Sequence, residues 1–234
     1  MVELKVYCTI GVKAAVEALV PRLEQAGGCT FAFTWGTAPM MVRRLQAGET
    51  ADIMVLNRAG LETMTAAGRV AAGSQVKLAG SPVAIAVKAG TPKPDISTPE
   101  ALKRTLLAAK SISYTDPAAG GASGVYFAQL LERLGIAREV NAKNTYPPAG
   151  GFSGTLLLTG QAELAVQQKP ELLHVAGIEI VGLLPGDLNM VTVFAGGIAT
   201  GCAHPAAAAK ALAFLRSPEA AAVFRGKGLD PDAP

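Results

Sequence analysis

The chain has 234 residues, of which 50% are hydrophobic and 17% are charged, and its net charge is +3. This length allows one large domain or two small lobes, and the composition excludes a disordered chain. Lysine and arginine are scattered along the chain, so we expect no nucleic-acid partner. Its three cysteines and two histidines lack the spacing of a zinc site, so we expect no metal and no cofactor.

Hydrophobic periodicity and turn residues predict alternating strands and helices along the whole chain. In chain order, the predicted elements are strand 4–8, a helix from 12 up to Gly27, strand 30–35, helix 37–47, strand 52–56, helix 59–67, strand 81–88, helix 99–109, strand 111–114, helix 125–134, helix 155–158, strand 162–167, helix 170–176, strands 178–183 and 190–195, and helices 205–215 and 218–227. This alternation predicts an α/β fold with largely parallel sheets. No apolar run reaches the ~20 residues of a membrane span.

The predicted strands 83–87 and 191–195 are long enough to cross between two lobes, and irregular, glycine-containing sequence follows each of them. We therefore predict a discontinuous first lobe, 1–82 and 190–234, around an inserted second lobe, 83–189. The last two helices should pack on the first lobe.

The N-terminus predicts where the protein is found. The residues after Met1 run directly into the first strand, without a signal peptide. We expect a cytoplasmic protein if Met1 is the native start, and a periplasmic protein if a leader has been removed. In either case we expect a monomer.

Four junctions share one pattern, in which a strand or loop is followed by a small or hydroxyl residue and then by a helix. They are Thr9-Ile-Gly11, Gly36-Thr-Ala-Pro39, Ala122-Ser-Gly124 and Gly151-Phe-Ser-Gly154. Ser123 stands where a helix N-cap is expected. Free backbone N–H groups and helix dipoles at such junctions favour an anion, although every α/β protein also caps its helices in this way.

The amino-acid sequences of several segments resemble those of the periplasmic molybdate-binding proteins and other type II solute-binding proteins. These segments are Leu45-Gln-Ala-Gly-Glu-Thr-Ala-Asp-Ile53, Thr115-Asp-Pro117, Ser123-Gly-Val-Tyr126, Gly160-Gln-Ala-Glu-Leu164 and residues 213–220. The resemblance covers essentially the whole chain. It implies a two-lobed type II periplasmic-binding-protein fold with an interlobe cleft that closes on an anion held by hydroxyl and amide donors.

The resemblance also implies a set of binding residues. Where the family has a serine after its first strand, this chain has Gly11, and Gln168 replaces a tyrosine that reaches the oxyanion. The candidate ligand-binding residues are Thr9, Ile10, Gly11, Thr37, Ala38, Ser123, Gly124, Phe152, Ser153, Gln167 and Gln168. Because amide groups suit a carboxylate, the ligand is predicted to be either a molybdate-like oxyanion or a small organic carboxylate.

Two classes of function remain open. The first is a solute-binding protein that delivers a small anion to the membrane permease of an ABC transporter. The second is a cofactor-free isomerase of a small unsaturated acid, since divergent relatives of this family resemble aconitate isomerase; a cytoplasmic ligand sensor is a further alternative. The candidate bases are few, namely Lys13, Asp116, Lys169 and Glu171, and no acid–base pair stands out, which favours binding over catalysis.

Overall fold

The computed structural model describes residues 2–148 and 150–232. The strands are β1 Val2–Thr9, β2 Cys29–Gly36, β3 Ile53–Asn57, β4 Val76–Lys88, β5 Ile112–Tyr114, β6 Leu164–Gln168, β7 Ile178–Leu183 and β8 Val191–Ile198. The helices are α1 Lys13–Gly27, α2 Ala38–Gln46, α3 Arg58–Ala66, α4 Pro99–Ala108, α5 Ala122–Arg133, α6 Ala137–Asn141, α7 Thr155–Leu158, α8 Lys169–Leu173, α9 Pro205–Phe214 and α10 Pro218–Gly226. Short 3-10 turns cover Ile10–Val12, Pro117–Ala119 and Gly186–Leu188.

Hydroxyl and amide caps fix the starts of several helices. Thr37 accepts a hydrogen bond from the Met40 backbone N–H at 3.4 Å at the start of α2. Asn57 and Thr98 cap α3 and α4 in the same way. These caps satisfy backbone donors that have no partner within the helix, so the sequence itself sets these boundaries.

The chain divides into two compact units. The first contains the residues up to Ser81 and those from Thr192 onward, and the second is Pro82–Val191. The boundaries therefore fall within β4 and at the start of β8.

In the first unit, β1 pairs in parallel with β2 and with β3, and β3 pairs with β8 in the antiparallel direction. The core packs α1 against α9 and α10 through Leu19, Leu212 and Phe224, as expected for the last two helices. Cys8 belongs to this core, and burial raises the pKa of its thiol well above the usual range. It is a small apolar filler and not a nucleophile.

In the second unit, β4 pairs with both β6 and β7 in the antiparallel direction, while β5 and β6 are parallel. Its core is built around Tyr114 and Phe127, whose ring centroids lie 5.1 Å apart. Lys143 donates to the Leu107 carbonyl at the end of α4 at 2.6 Å. A cation at this position opposes the negative end of the helix dipole.

The prediction of largely parallel sheets is wrong. The two long strands β4 and β8 form antiparallel ladders, because each runs in the direction opposite to the strands with which it pairs. The boundaries of α7 and β7 are as predicted, whereas β4 begins five residues earlier, at Val76 rather than at 81. Helix α6 was not predicted, since five residues contain too little periodicity.

Glu49 links the N-terminal strand to α2 and provides a test of the first unit. Its carboxylate accepts a hydrogen bond from the Tyr7 hydroxyl and two from the Arg44 guanidinium, each at 2.7 Å. The Arg44 hydrogen bond, followed by that of Tyr7, lowers the pKa of Glu49 from 4.5 to about 2. The folded state therefore favours the ionised form.

We expect Glu49→Gln to lower the melting temperature at pH 7, because the neutral amide keeps only one acceptor oxygen for Arg44 and loses the attraction between opposite charges. A lowered pKa stabilises the fold above pH 4.5, and this contribution disappears as the pH falls towards about 2. The difference between variant and wild type should therefore close over that window in a thermal-unfolding series. Exposed Glu62 supplies the control, since Glu62→Gln should show no such pH-dependent difference. A difference for Glu49→Gln that stays constant from pH 7 to pH 2 would contradict the account.

Candidate functional site

The candidate site of the second unit lies where β5 and β6 end. These neighbouring strands are parallel, with Tyr114 beside Val166, so the residues that follow them lie at the same edge of the sheet. Ligands of open α/β sheets bind beyond the carboxyl ends of such strands. We call the polar residues at this edge the strand-end cluster, which consists of Thr115, Ser123, Ser153, Gln167, Gln168 and Glu171.

Helix α5 begins directly against the end of β5. A Cβ atom on Gly124 would lie 2.2 Å from the Thr115 carbonyl oxygen, and one on Gly121 would lie 2.9 Å from Thr115 Cγ2. Only glycine permits this approach, so Gly124 brings the first turn of α5 to the cluster. The predicted contact of Gly124 with a ligand stays a prediction.

Ser123 is not the N-cap, contrary to the prediction. Gly121 occupies that position, and Ser123 is the second residue of α5, with 3% of its surface exposed. The helix starts earlier than predicted because Gly120 adopts a left-handed conformation that ends the preceding turn. Asp116, one of the candidate bases, caps that turn by accepting from the Ala118 N–H at 2.9 Å.

Ser153 and Gln167 form a closed network. Gln167 Oε1 accepts from both the backbone N–H and the hydroxyl of Ser153, each at 2.8 Å. Both residues are buried, so the network ties the loop before α7 to the end of β6. The Gln167 side chain also lowers the pKa of the Glu171 carboxyl, although burial has the larger, opposite effect. Gln167 therefore positions its neighbours, and its side-chain oxygen already has two protein partners.

Gln168 differs from Gln167 in having a free acceptor. The residue is 5% exposed, and its Oε1 has no hydrogen-bond partner among the described residues. Thr115 Oγ1 is also buried, and it also has no hydrogen-bond partner among the described residues. Buried polar atoms are normally paired, so these two atoms mark a place for a ligand or for water.

Glu171 is a half-buried carboxyl group at the start of α8. Desolvation by burial raises the pKa of Glu171 from 4.5 to about 7, against the opposing influence of the Gln167 side chain and the Gln168 backbone N–H. Such a group exchanges a proton near neutral pH.

Phe152 is the remaining candidate residue of the second unit. Its half-buried ring lies 5.0 Å from that of His174, centroid to centroid. The ring therefore covers the end of α8, and a ligand contact of Phe152 stays a prediction.

The candidate residues of the first unit lie at the ends of β1 and β2. Thr9 is buried and its Oγ1 has no partner among the described residues, whereas Thr37 caps α2, where Ala38 is buried. Ile10 and Gly11 form the 3-10 turn after β1. A Cβ atom on Gly11 would lie 2.5 Å from the ring of Phe194, so the ring excludes the serine that the family places there.

Two candidate bases remain, Lys13 and Lys169, and three further charged residues, Arg43, Arg44 and His204, also lie outside the strand-end cluster. The Lys13 Nζ atom lies 3.7 Å from Glu17 Oε1 and 5.5 Å from the centroid of the Trp35 ring. Arg44 pairs with Glu49 and is not free to attract a ligand. Lys169 is half-buried beside the cluster, Arg43 is exposed, and His204 precedes α9 without capping it.

Sequence reasoning missed Thr115 as a binding candidate and undervalued Glu171. The signal for Thr115 was its place directly after a strand. No comparable signal existed for Glu171, because the desolvation of a carboxyl depends on tertiary packing.

Across residues 2–148 and 150–232, no three metal-ligating side chains converge. No helix in those ranges has the length and apolarity to cross a membrane.

The fold is that of the periplasmic solute-binding proteins. The periplasmic molybdate-binding protein of Azotobacter vinelandii superimposes with a TM-score of 0.76 at 18% identity, covering 97% of this chain and 98% of that one. The sulfate-binding protein SubI from Mycobacterium tuberculosis H37Rv also gives a TM-score of 0.76, at 16% identity, covering 100% of this chain and 88% of that one. At these identities the likeness concerns the fold alone.

The family follows from the sequence. The profile of the bacterial extracellular solute-binding proteins matches residues 4–230, and this chain belongs to that family. An aconitate isomerase from a Pseudomonas species is 36% identical, over 97% of this chain and 87% of its own. The resemblance inferred from sequence motifs is thereby confirmed for family and fold.

Proposed function

We propose that the strand-end cluster binds a small organic carboxylic acid. The observation that carries this proposal is the buried, unpartnered Oε1 of Gln168. An amide oxygen only accepts hydrogen bonds, and leaving it unsatisfied costs about 1–3 kcal/mol. A molybdate or sulfate dianion has no hydrogen to donate, whereas the hydroxyl or protonated carboxyl of an organic acid has one.

The other members of the cluster fit the ionised part of such a ligand. Thr115 Oγ1 is an uncommitted hydroxyl, and the first turn of α5 around Ser123 presents backbone N–H groups with no partner inside the helix. Neutral donors of this kind bind a carboxylate without requiring a cation. Contributions of Thr9 and Thr37 from the first unit stay predictions.

Membership of the solute-binding family supports a role in uptake. On this proposal the protein is the periplasmic receptor of an ABC-type system, acts as a monomer and delivers the acid to a membrane permease. Co-purification with a permease would test that partner directly.

A second candidate function is isomerisation of an unsaturated organic acid. The specific observation in its favour is the 36% identity to a protein named aconitate isomerase, which extends over nearly the whole chain. The same ligand chemistry serves both candidates, because an isomerase must first bind the acid.

A ligand panel tests the proposal. We expect citrate, whose hydroxyl can donate to Gln168 Oε1, to raise the melting temperature, with a ligand at ~100 Kd adding about 2.7 kcal/mol, and molybdate, tungstate and sulfate to bind more weakly. Gln168→Ala should weaken binding of the organic acid by about 1 kcal/mol, or roughly fivefold, and leave molybdate binding unchanged. Calorimetric titration gives both numbers, and exposed Gln161, changed to alanine, is the matched control. Tighter binding of molybdate than of every organic acid would refute the proposal.

A further inference from the structure

We propose that the second unit contains a further binding site, separate from the strand-end cluster, for a zwitterionic α-amino acid with a large apolar side chain. The site is a cavity of about 520 Å³ at the end of the sheet where β6 begins, and we call it the amino-end cavity. Pockets that hold small molecules usually enclose about 300–1,000 Å³, so its size suits such a ligand.

The amino-end cavity and the strand-end cluster lie at opposite ends of β6. Leu164, the first residue of β6, lines the cavity, whereas Gln168, the last residue, belongs to the cluster. Four steps of about 3.3 Å along a strand separate these two residues by about 13 Å. The cavity is therefore a second place for a ligand and not an extension of the first.

Apolar side chains form much of the cavity wall. Val87 at the end of β4, Leu157 of α7 and Leu164 all line it, and the rest of their surface is buried in the second unit. Pro92 and Pro94, from the connector that follows β4, close another side. A wall of this composition favours a ligand that carries a large apolar group.

The connector that contributes the two prolines is held in place by several polar contacts. The Thr105 hydroxyl of α4 donates to the Asp95 carbonyl at 2.7 Å, and the Asp95 carboxylate accepts from the backbone and the hydroxyl of Ser97. Lys93 pairs with Glu179 of β7 at 3.3 Å. The cavity is therefore pre-formed, and little further ordering of its wall is needed for binding.

Two opposite charges stand side by side at the cavity. Ala86 of β4 pairs with Ala165 of β6 in the antiparallel register. Extending this register by two residues places Lys88 opposite Glu163, on the same face of the sheet, where the Cβ atoms of such a pair lie about 4.5–5.5 Å apart. Both residues line the cavity.

Protein partners leave most of this charge available. Within residues 2–148 and 150–232, the Lys88 ammonium has no hydrogen-bond or ion-pair partner. Glu163 Oε2 accepts from the Lys110 backbone N–H at 2.8 Å, and in the same ranges the carboxylate pairs with no cation. Lys88 and Glu163 therefore do not neutralise each other directly.

The charges select the class of ligand. An α-amino acid carries a carboxylate and an ammonium on one carbon atom, so it pairs with Lys88 and Glu163 together while its side chain enters the apolar part of the cavity. A simple apolar acid would meet the Glu163 carboxylate, and a simple amine would meet the Lys88 ammonium. Each of these would leave one charge of the wall without a partner.

Titration with L-phenylalanine tests the site. We expect binding with a Kd of about 1 mM or lower, as is reasonable for a ligand of this size. In NMR spectra of isotope-labelled protein, the largest shifts should be those of the backbone amides of Lys88, Ala109 and Glu163, which line the cavity. Hydrocinnamate, which lacks the ammonium, and phenethylamine, which lacks the carboxylate, should each bind about tenfold more weakly.

Substitution of the two charged residues should separate their partners. Lys88→Met keeps the length of the side chain and should weaken binding of L-phenylalanine and hydrocinnamate, but not of phenethylamine. Glu163→Gln keeps an oxygen for the Lys110 N–H and should weaken binding of L-phenylalanine and phenethylamine, but not of hydrocinnamate. Lys210→Met, at an exposed position of α9 in the first unit, is the control and should change none of these affinities.

A third variant tests the cavity without changing its charge. Ala108 lines the cavity from α4 and is exposed, so Ala108→Phe should fill the apolar part and retain the fold. We expect it to weaken L-phenylalanine binding by at least about tenfold, because the ligand side chain loses its place. The melting temperature of each variant reports whether the fold is retained.

Three results would overturn the proposal. The first is no binding of L-phenylalanine up to its solubility limit. The second is equal affinity for L-phenylalanine and hydrocinnamate, since Glu163 would then have no part in recognition. The third is a set of shifts confined to Thr115, Ser123 and Gln168, which would place the ligand at the strand-end cluster. None of these results bears on citrate binding, so this inference and the proposed function fail separately.

Discussion

Gly124→Ala is expected to destabilise the second unit by about 3 kcal/mol, the upper part of the usual range for overpacking. The added Cβ would lie 2.2 Å from the carbonyl oxygen and 2.9 Å from the carbonyl carbon of Thr115. Both are backbone atoms at the end of β5, so neither can rotate away, and α5 must move as a whole. For a chain of this length, this corresponds to a fall of about 6–12 °C in melting temperature.

The matched control is Gly226→Ala at the end of α10, where an added Cβ would meet no atom within 4 Å. The same substitution should be neutral there or add up to about 1 kcal/mol, because alanine loses less backbone entropy than glycine in a helix. Differential scanning calorimetry should therefore show a clear fall in melting temperature for Gly124→Ala. For Gly226→Ala the melting temperature should stay the same or rise slightly. Equal shifts for both would mean that α5 does not approach Thr115 closely.

Gln167→Leu is the second substitution with a large expected effect, again about 3 kcal/mol. It removes the acceptor for two Ser153 donors and the side chain that lowers the pKa of Glu171. Each buried group left unsatisfied costs about 1–3 kcal/mol, and the added apolar surface of leucine offsets only part of this. Urea unfolding should show the loss, with exposed Gln161→Leu as the control.

The pH dependence of this effect identifies its cause. The Gln167 side chain lowers the pKa of Glu171 against the stronger effect of burial, so it stabilises the ionised carboxylate. Because the Glu171 pKa is raised in the folded state, its ionisation costs stability as the pH rises from 4.5 to about 7, and the full cost is present above that range. Gln167→Leu should therefore destabilise the protein more at pH 8 than at pH 5. An equal loss at both values would indicate that only the Ser153 bonds matter.

The two glutamines illustrate how adjacent residues of one type acquire different roles. Gln167 and Gln168 are both buried at the end of β6, yet Gln167 is occupied by protein partners and Gln168 has a free acceptor. Successive side chains of a strand point to opposite faces. Substitutions at the two positions should accordingly affect stability and ligand choice, respectively.

Local chemistry in the sequence was enough to predict most of the elements. Thr37, which precedes Ala38-Pro39, caps α2. Asp116 caps the 3-10 turn Pro117–Ala119. Residues 155–158 and 178–183 have the predicted boundaries. Ser123 failed as a cap because glycine at 121 served that position equally well, and short-range rules do not separate the two.

The sequence by itself determined the alternation of strands and helices, the glycine-rich junctions and the family, since each depends on residues close together in the chain or on whole-chain similarity. Only the tertiary structure decided the antiparallel ladders of β4 and β8, because strand direction depends on pairing between distant segments. It alone distinguished Gln168 from Gln167 and gave Glu171 its raised pKa. Desolvation and hydrogen-bond occupancy are properties of a packed environment, and residues far apart in the sequence create that environment.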